Sequence, residues 1–271
     1  MITNSATSNK LIELGKELAK NNTCKNSNAD KKITVTINSD GTTTSDVNVT
    51  KELSLFAASL LNPIRQQFGG GFYNVSDGSI NITNAVAEGY TSDKRNALVK
   101  FGHDTEVLDS VAKEYGFPGG IGESLSTGFI SSMGFNDEAN GIPQTVTTNL
   151  DDLKQAVYDS IISMLSNDAN SLWGHMTDLT GTRSAQSNKY KVYLGISVDA
   201  MGNVHFNSEV PENSYNYDST GLFAQENTEY AVPDYATQAL NALATAKAKL
   251  NTAKANLTSA QNAQTDRKSV V

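Results

Sequence analysis

The chain contains three histidines, so its imidazole chemistry can be weighed residue by residue. His103 lies in Phe101-Gly102-His103-Asp104, immediately before a predicted helix. His175 lies in Trp173-Gly174-His175-Met176-Thr177, just after one, and His205 lies in the second strand of a predicted hairpin. Imidazole is the side chain whose ordinary titration falls nearest neutrality. Two of the three stand at Gly-His junctions, where a glycine lets the backbone turn sharply while the side chain projects from a rigid element into a cleft. Taken singly, each histidine reads first as a cap or a packing residue. Glu123 follows Gly119, Gly120 and Gly122, a stretch flexible enough to aim a carboxylate inward. Taken alone, it reads as a solvated acid in the first turn of a helix, favoured by the helix dipole.

The usual catalytic signatures are missing. The Gly119-Gly120-Ile121-Gly122 loop follows an amphipathic helix instead of a strand, so it is no dinucleotide fingerprint, and no Gly-x-x-x-x-Gly-Lys-Ser/Thr phosphate loop occurs. There is no His-Glu-x-x-His and no Gly-x-Ser-x-Gly. The single cysteine, Cys24, lies in a polar stretch and allows no intrachain disulfide.

These residues need elements to position them. Leu11, Leu14 and Leu18 form one stripe of a short amphipathic helix within residues 1–22. Residues 23–49 are polar and read as a linker with a marginal hairpin, where Ile33, Val35 and Ile37 alternate before the turn Ser39-Asp40-Gly41. From Thr50, Leu53, Phe56, Ala57, Leu60, Leu61 and Ile64 recur at helical spacing until Gly69-Gly70-Gly71 ends the run, with a kink expected at Pro63. A second helix passes through Ile82, Val86 and Tyr90, and a third starts at Asp104, a natural N-cap. Thr148 with Asp151 three residues on marks the start of the longest core helix, carried by Leu150, Leu153, Val157, Ile161 and Met164. After Trp173 the period becomes two: Val192, Leu194, Ile196 and Val198 lead through the turn Asp199–Asn203 into Val204, His205 and Phe206, a hairpin with one buried face. Helices first and a hairpin late favour an α+β layering over a doubly wound sheet. Residues 50–215 form the expected domain and 216–234 a second linker. In residues 235–271, Leu243, Leu250 and Leu257 repeat every seven positions, each followed three residues later by Ala246, Ala253 or Ala260, a narrow coiled-coil seam.

Composition bounds the partners. A formal charge of -8 over 271 residues offers no broad basic surface for phosphate backbones, which argues against nucleic acid. With 38% hydrophobic residues there is material for a core, and no apolar run approaches the roughly 18 residues of a membrane span. The polar opening Met1-Ile2-Thr3-Asn4 lacks the charged and apolar regions of a signal peptide, which suits a soluble, processed fragment.

Four short motifs in order carry a resemblance: Leu61-Asn62-Pro63-Ile64-Arg65, Gly102-His103, Gly122-Glu123-Ser124-Leu125 and Trp173-Gly174-His175-Met176-Thr177. The series resembles the CAP superfamily of cysteine-rich secretory, antigen 5 and pathogenesis-related proteins. Within it, Leu53-Ser54-Leu55-Phe56 through Arg65, Met164-Leu165-Ser166-Asn167 and Ser171–His175 are similar to the PgrA-type surface exclusion domain of Gram-positive bacteria. The resemblance implies a CAP-like α-β-α sandwich whose flanking N- and C-terminal helices resemble a stalk; their two leucine stripes read as an antiparallel coiled-coil pair, with a tail helix docked on the domain or partnerless as the alternative. It implies a cleft of two histidines and two acids, here His103, His175 and Glu123 with Asp159 or Asp168 as the fourth. Such a cleft can hold a divalent metal, zinc or magnesium or calcium, with Glu123 as proton acceptor. The family's Gly-Glu-Asn is Gly122-Glu123-Ser124 in this chain.

The implied role is that of an extracellular cell-wall protein of a Gram-positive bacterium, a surface exclusion or adhesion head on a stalk that can self-associate. Its partner would be a surface protein or adhesin of the same or another cell. A non-enzymatic role ranks ahead of a metal-dependent, peptidase-like hydrolase with His103, Glu123 and His175 as catalytic residues. A lipid- or sterol-binding module, centred on Phe129, Ile130 and Phe135, is the third reading.

Overall fold

A computed structural model of the chain describes residues 29–95, 102–127, 133–135, 142–183, 189–225, 228–234, 245, 247–249, 251 and 252. The chain divides into two units, residues 1–233 and 234–271. In the second, residues 245, 247–249, 251 and 252 are helical and exposed. The N-terminal stalk helix and the leucine seam at 243, 250 and 257 lie outside the described residues.

The first unit runs β1 (Thr34–Ile37), β2 (Thr43–Ser45), α1 (Val49–Phe68), β3 (Tyr73–Ser76), α2 (Asp77–Ser92), α3 (Thr105–Glu114), β4 (Gly122–Ser126), β5 (Val146–Asn149), α4 (Leu150–Ser166), α5 (Gly174–Leu179), β6 (Val192–Val198), β7 (Val204–Glu209), α6 (Leu222–Gln225) and β8 (Glu229–Tyr230). Five strands make the main sheet in the order β4-β7-β6-β3-β8, with β3 parallel to β6 and the other pairs antiparallel.

The central strand shows why the molecule is layered. All seven residues of β6 are buried, so the single buried face expected from alternation becomes two. Val192, Leu194, Ile196 and Val198 join the core under α1 and α4, with Leu53, Ala57, Leu61, Leu153 and Val157. On the other face Tyr193 packs with Ile82, Val86 and Tyr90 of α2 and Val111 of α3. Helices on both faces of one sheet give the α-β-α sandwich. The period-2 pattern survived because the polar-looking positions of β6, Tyr193 and Ser197, find hydrogen bonds inside: Tyr193 to Glu229 at 2.7 Å and Ser197 to the Thr83 carbonyl at 2.8 Å.

Local signals set the helix ends. Asn48 caps α1 by accepting from the Lys51 amide, and Gly69 ends it at φ 75°, a left-handed conformation natural to glycine. The helix runs through Pro63. Asp104 caps α3 as the sequence predicts, while the cap of α4 is Asn149, one residue beyond the predicted Thr148.

The two predicted linkers are partly folded. β1 pairs with β2 and β5 in a three-stranded sheet, and Val35 and Ile37 are buried in the main core, so the folded unit begins well before Thr50. Beyond residue 215, Phe223 is 1% exposed among Tyr193, Phe117 and Tyr217, and β8 closes the sheet edge against β3. Burying one aromatic ring and pairing one sheet edge was enough to fold segments whose polar composition reads as linker.

Gly195 is where α2 touches the sheet. A Cβ there would stand 2.2 Å from the Ser79 carbonyl oxygen and 2.8 Å from Thr83 Cγ2, so helix and strand meet with no room for a side chain. Gly195→Ala is expected to destabilise the domain by about 3 kcal/mol, the upper range for an overpacked core site. Urea unfolding checks this; an unchanged midpoint would mean that α2 does not sit that close.

Candidate functional site

Gly102, at φ 94°, reverses the chain just before α3, and Arg95 donates to the carbonyls of Gly102 and His103 at 3.3 and 3.1 Å. The Asp104 amide donates to the Tyr90 hydroxyl at 2.6 Å. His103 is thus clamped through its backbone on both sides, with its ring half-exposed.

Glu123 lies in β4, not in the first turn of a helix, and its side chain is 1% exposed. The strand pairs with β7, setting Glu123 opposite Asn207 and Leu125 opposite His205. That register brings Glu123 beside His205. Its Oε2 receives His103 Nδ1 at 2.6 Å and the Tyr90 hydroxyl at 2.6 Å, and its Oε1 receives His205 Nδ1 at 2.9 Å. The other nitrogen of His205, Nε2, meets Asp199 Oδ2 at 3.0 Å. Asp199 also accepts from the amides of Met201 and Asn203 and from the Asn203 side chain. One chain of acid, imidazole, acid, imidazole therefore runs from the β6–β7 turn to the surface at His103.

An ionised carboxylate only accepts hydrogen bonds, so an imidazole held between two of them carries both its protons. Burial opposes that charge, and the hydrogen bonds to Asp199 and Glu123 outweigh it, raising His205 to about 9. Burial likewise pushes Glu123 up, yet its bonds from His103, His205 and Tyr90 bring it down to about 2. Burial, reinforced by the same carboxylate, holds the Tyr90 phenol above its ordinary value.

His175 belongs to the short α5. Its Nδ1 meets Asp168 Oδ1 at 2.7 Å, and Asp168 Oδ2 accepts from the Met176 amide at 3.1 Å. Asp168 is 4% exposed, so it is bound on both oxygens and shielded. The chain enters α5 through Leu172 and Trp173, both left-handed at φ 51° and 61°, an arrangement that costs of order 1–3 kcal/mol per residue. Leu172 is 88% exposed, so no packing of its own side chain repays this strain.

His103 and His175 line one cleft of about 400 Å³, together with Glu123, Ser124, Leu125, Ser171, Gly174 and Arg183. Of the two acids weighed for the fourth position, Asp168 stands behind His175, whereas Asp159 accepts from Gln155 one turn away on α4 and does not border the cleft. Phe135 is 4% exposed within the core; Phe129 and Ile130 lie outside the described residues.

Sequence reading missed His205, Asp199 and Tyr90 as parts of the site. A signal did exist: His205, Asn207 and Glu209 alternate with Val204 and Phe206 along β7, but such a row reads as a solvent face. The structure buries it. Glu209 is its extreme case, 2% exposed with both carboxyl oxygens lacking a hydrogen-bond partner among the described residues, so burial pushes this acid well above the usual carboxylate range.

No protein-family model and no curated protein sequence matches the chain. Among solved structures it is similar to the CAP domain of Enterococcal PrgA, with a TM-score of 0.60 and 21% identity over 88% of this chain and 90% of that one. The α-β-α sandwich expected from the sequence resemblance is thus a CAP fold.

The charge chain makes stability depend on pH. A histidine raised by folding adds stability that is complete below its ordinary pKa and lost as pH climbs through the folded value. The melting temperature is therefore expected to fall between about pH 6.5 and 9, by the equivalent of on the order of 3 kcal/mol, and His205→Gln should flatten that limb. Glu209, raised by burial, costs stability increasingly as pH rises above its ordinary 4.5, so Glu209→Gln should raise the melting temperature at neutral pH. Scanning calorimetry from pH 4 to 10 reads both; a His205→Gln variant with the wild-type alkaline slope would break the assignment.

Proposed function

We propose that this chain is the CAP-fold head of a bacterial cell-surface protein that acts in surface exclusion or adhesion by recognising a surface protein or adhesin of the same or another cell. The observation that carries the reading is the convergence of His103 and His175, far apart in sequence, on one cleft, each with its Nδ1 against a buried carboxylate. Two independent pairings of this kind are more than packing requires. The fold and the four sequence motifs supply the surface-protein context, and the acidic net charge suits a solvated object outside the cell.

The donor set fits a divalent metal through the two imidazoles. In each ring the Nδ1 meets an acid, the carboxylate–histidine arrangement that orients metal ligands and leaves Nε2 for the ion. Glu123 is poorly placed as a third ligand, because its two oxygens already accept from His205, His103 and Tyr90. Among the described residues no group of three or more His, Cys, Asp or Glu side chains is arranged to hold a metal. His103 and His175 would therefore hold it, and nitrogen donors favour zinc over magnesium or calcium. When bound, such an ion lowers the pKa of water and polarises a carbonyl. Glu123 then serves by keeping His103 oriented, which supports the hydrolase as the second reading.

Three measurements separate these readings. In the recognition reading, His103→Ala and His175→Ala reduce interference with mating or adhesion at least about tenfold while the purified head cleaves no surface protein. In the hydrolase reading, the wild type contains zinc and cleaves a surface adhesin, and both properties vanish in either variant. If both variants block mating as fully as wild type, the cleft is not the recognition site.

A further inference from the structure

Beside the histidine cleft lies a second, smaller hollow of about 160 Å³, and we propose that it is a carboxylate-binding subsite built on Arg65 and Arg183. The argument begins with Arg65, which is 2% exposed on the last turn of α1. Its guanidinium donates from Nε to the Gly71 carbonyl and from Nη1 to the carbonyls of Asp178 and Leu179 at 3.1 and 3.0 Å, and it lies 3.8 Å from the Tyr73 ring centroid. Neutral carbonyls and a ring face hold the cation in place without cancelling its charge. Among the described residues no carboxylate stands within 4 Å of Arg65 or of Arg183.

A buried, uncancelled cation is costly unless something of opposite charge can reach it. Here Arg65 and Gly181 line the hollow together. Gly181, at φ 73°, passes where a Cβ would stand 2.8 Å from Arg65 Nη2, so a side chain there would crowd the guanidinium. Arg183, two residues on, is exposed and borders both this hollow and the histidine cleft. The acid in the wall, Asp178, accepts from Ser124 at 2.9 Å, and its single charge leaves the lining net positive by one.

Shape and chemistry select the ligand. The volume is below the ~300–1,000 Å³ of pockets that enclose drug-sized molecules, which leaves room for a small anionic head and a few carbon atoms. The exposed Arg183 fork matches the planar, two-oxygen carboxylate, which a guanidinium binds in parallel hydrogen bonds, while Arg65, whose Nε and Nη1 are already committed to carbonyls, adds its charge and its Nη2. Tyr73, Val192 and Val210 supply hydrocarbon beside the cations, as one amino-acid residue bearing a carboxylate would need. Because Arg183 is shared, a polypeptide lying along His103 and His175 can place such a carboxylate in the hollow, from its own C-terminus or from an acidic side chain.

The test is an NMR titration of the folded chain, following the Gly181 and Asn213 amides. The probes are N-acetyl-leucine, its methylamide, N-acetyl-glutamate α-amide and inorganic phosphate. Saturable shifts with either carboxylate, at least about tenfold weaker with the methylamide and about tenfold weakened in Arg183→Gln, establish the site. Which of the two carboxylates binds tells a chain terminus from an acidic side chain. Arg183 is exposed, so its substitution leaves the fold intact. Equal binding of acid and amide, binding of phosphate alone, or carboxylate binding undiminished in Arg183→Gln overturns the proposal. None of these readouts depends on metal or on mating, so they stand apart from the test of the histidine cleft.

Discussion

Glu123 carries a charge at a place almost without water, and the rest of the site follows from how that charge is kept. Desolvation alone would make the acid take up a proton. It stays ionised because three donors reach it from three elements: Tyr90 from α2, His103 from the start of α3 and His205 from β7. His205 can donate in turn because Asp199 satisfies its other nitrogen. Removing any one partner leaves a buried polar atom short of a hydrogen bond, which costs more than the net worth of the bond itself. The chain therefore ties both the helix start that presents His103 and the turn that joins the two central strands to one electrostatic balance.

The sandwich supplies what this balance needs. Helices on both faces of β6 exclude water, and the narrow contact at Gly195 brings α2, and so Tyr90, down to the sheet. The antiparallel register of β4 on β7 places Glu123 next to His205. His175, in the same cleft, is held less deeply, by Asp168 among the described residues, and its approach runs through two left-handed residues, the first with an exposed side chain. One wall of the cleft is thus anchored in the core and the other stands on a strained loop.

Much of this was legible in the residues. Helical spacing marked α1, α2, α3 and α4, glycine ended the first of them, and strict alternation marked β6 and β7. The Gly-His junctions and the Gly-Glu pair stood out by type, and order along the chain linked them to a CAP-like arrangement. The linkers misled because one turn of polar residues looks alike whether it is solvated or pressed on a core: Val35, Ile37 and Phe223 are too few to announce that their segments are folded. His205 misled for the opposite reason, since a polar residue alternating with valine and phenylalanine describes an exposed strand face unless helices cover it.

Local periodicity, capping and turn chemistry depend on neighbours within a few positions, and so the chain's own order of residues determined the elements, the helix ends and which side chains could do chemistry. Whether His103, Glu123 and His205 touch, whether Glu209 is stranded without a partner, and whether Arg65 and Arg183 meet at one hollow depend on contacts between residues tens of positions apart. Those are set by how the layers stack and how the strands register. The tertiary structure alone decided them, because burial and charge pairing act through space and leave no period along the chain.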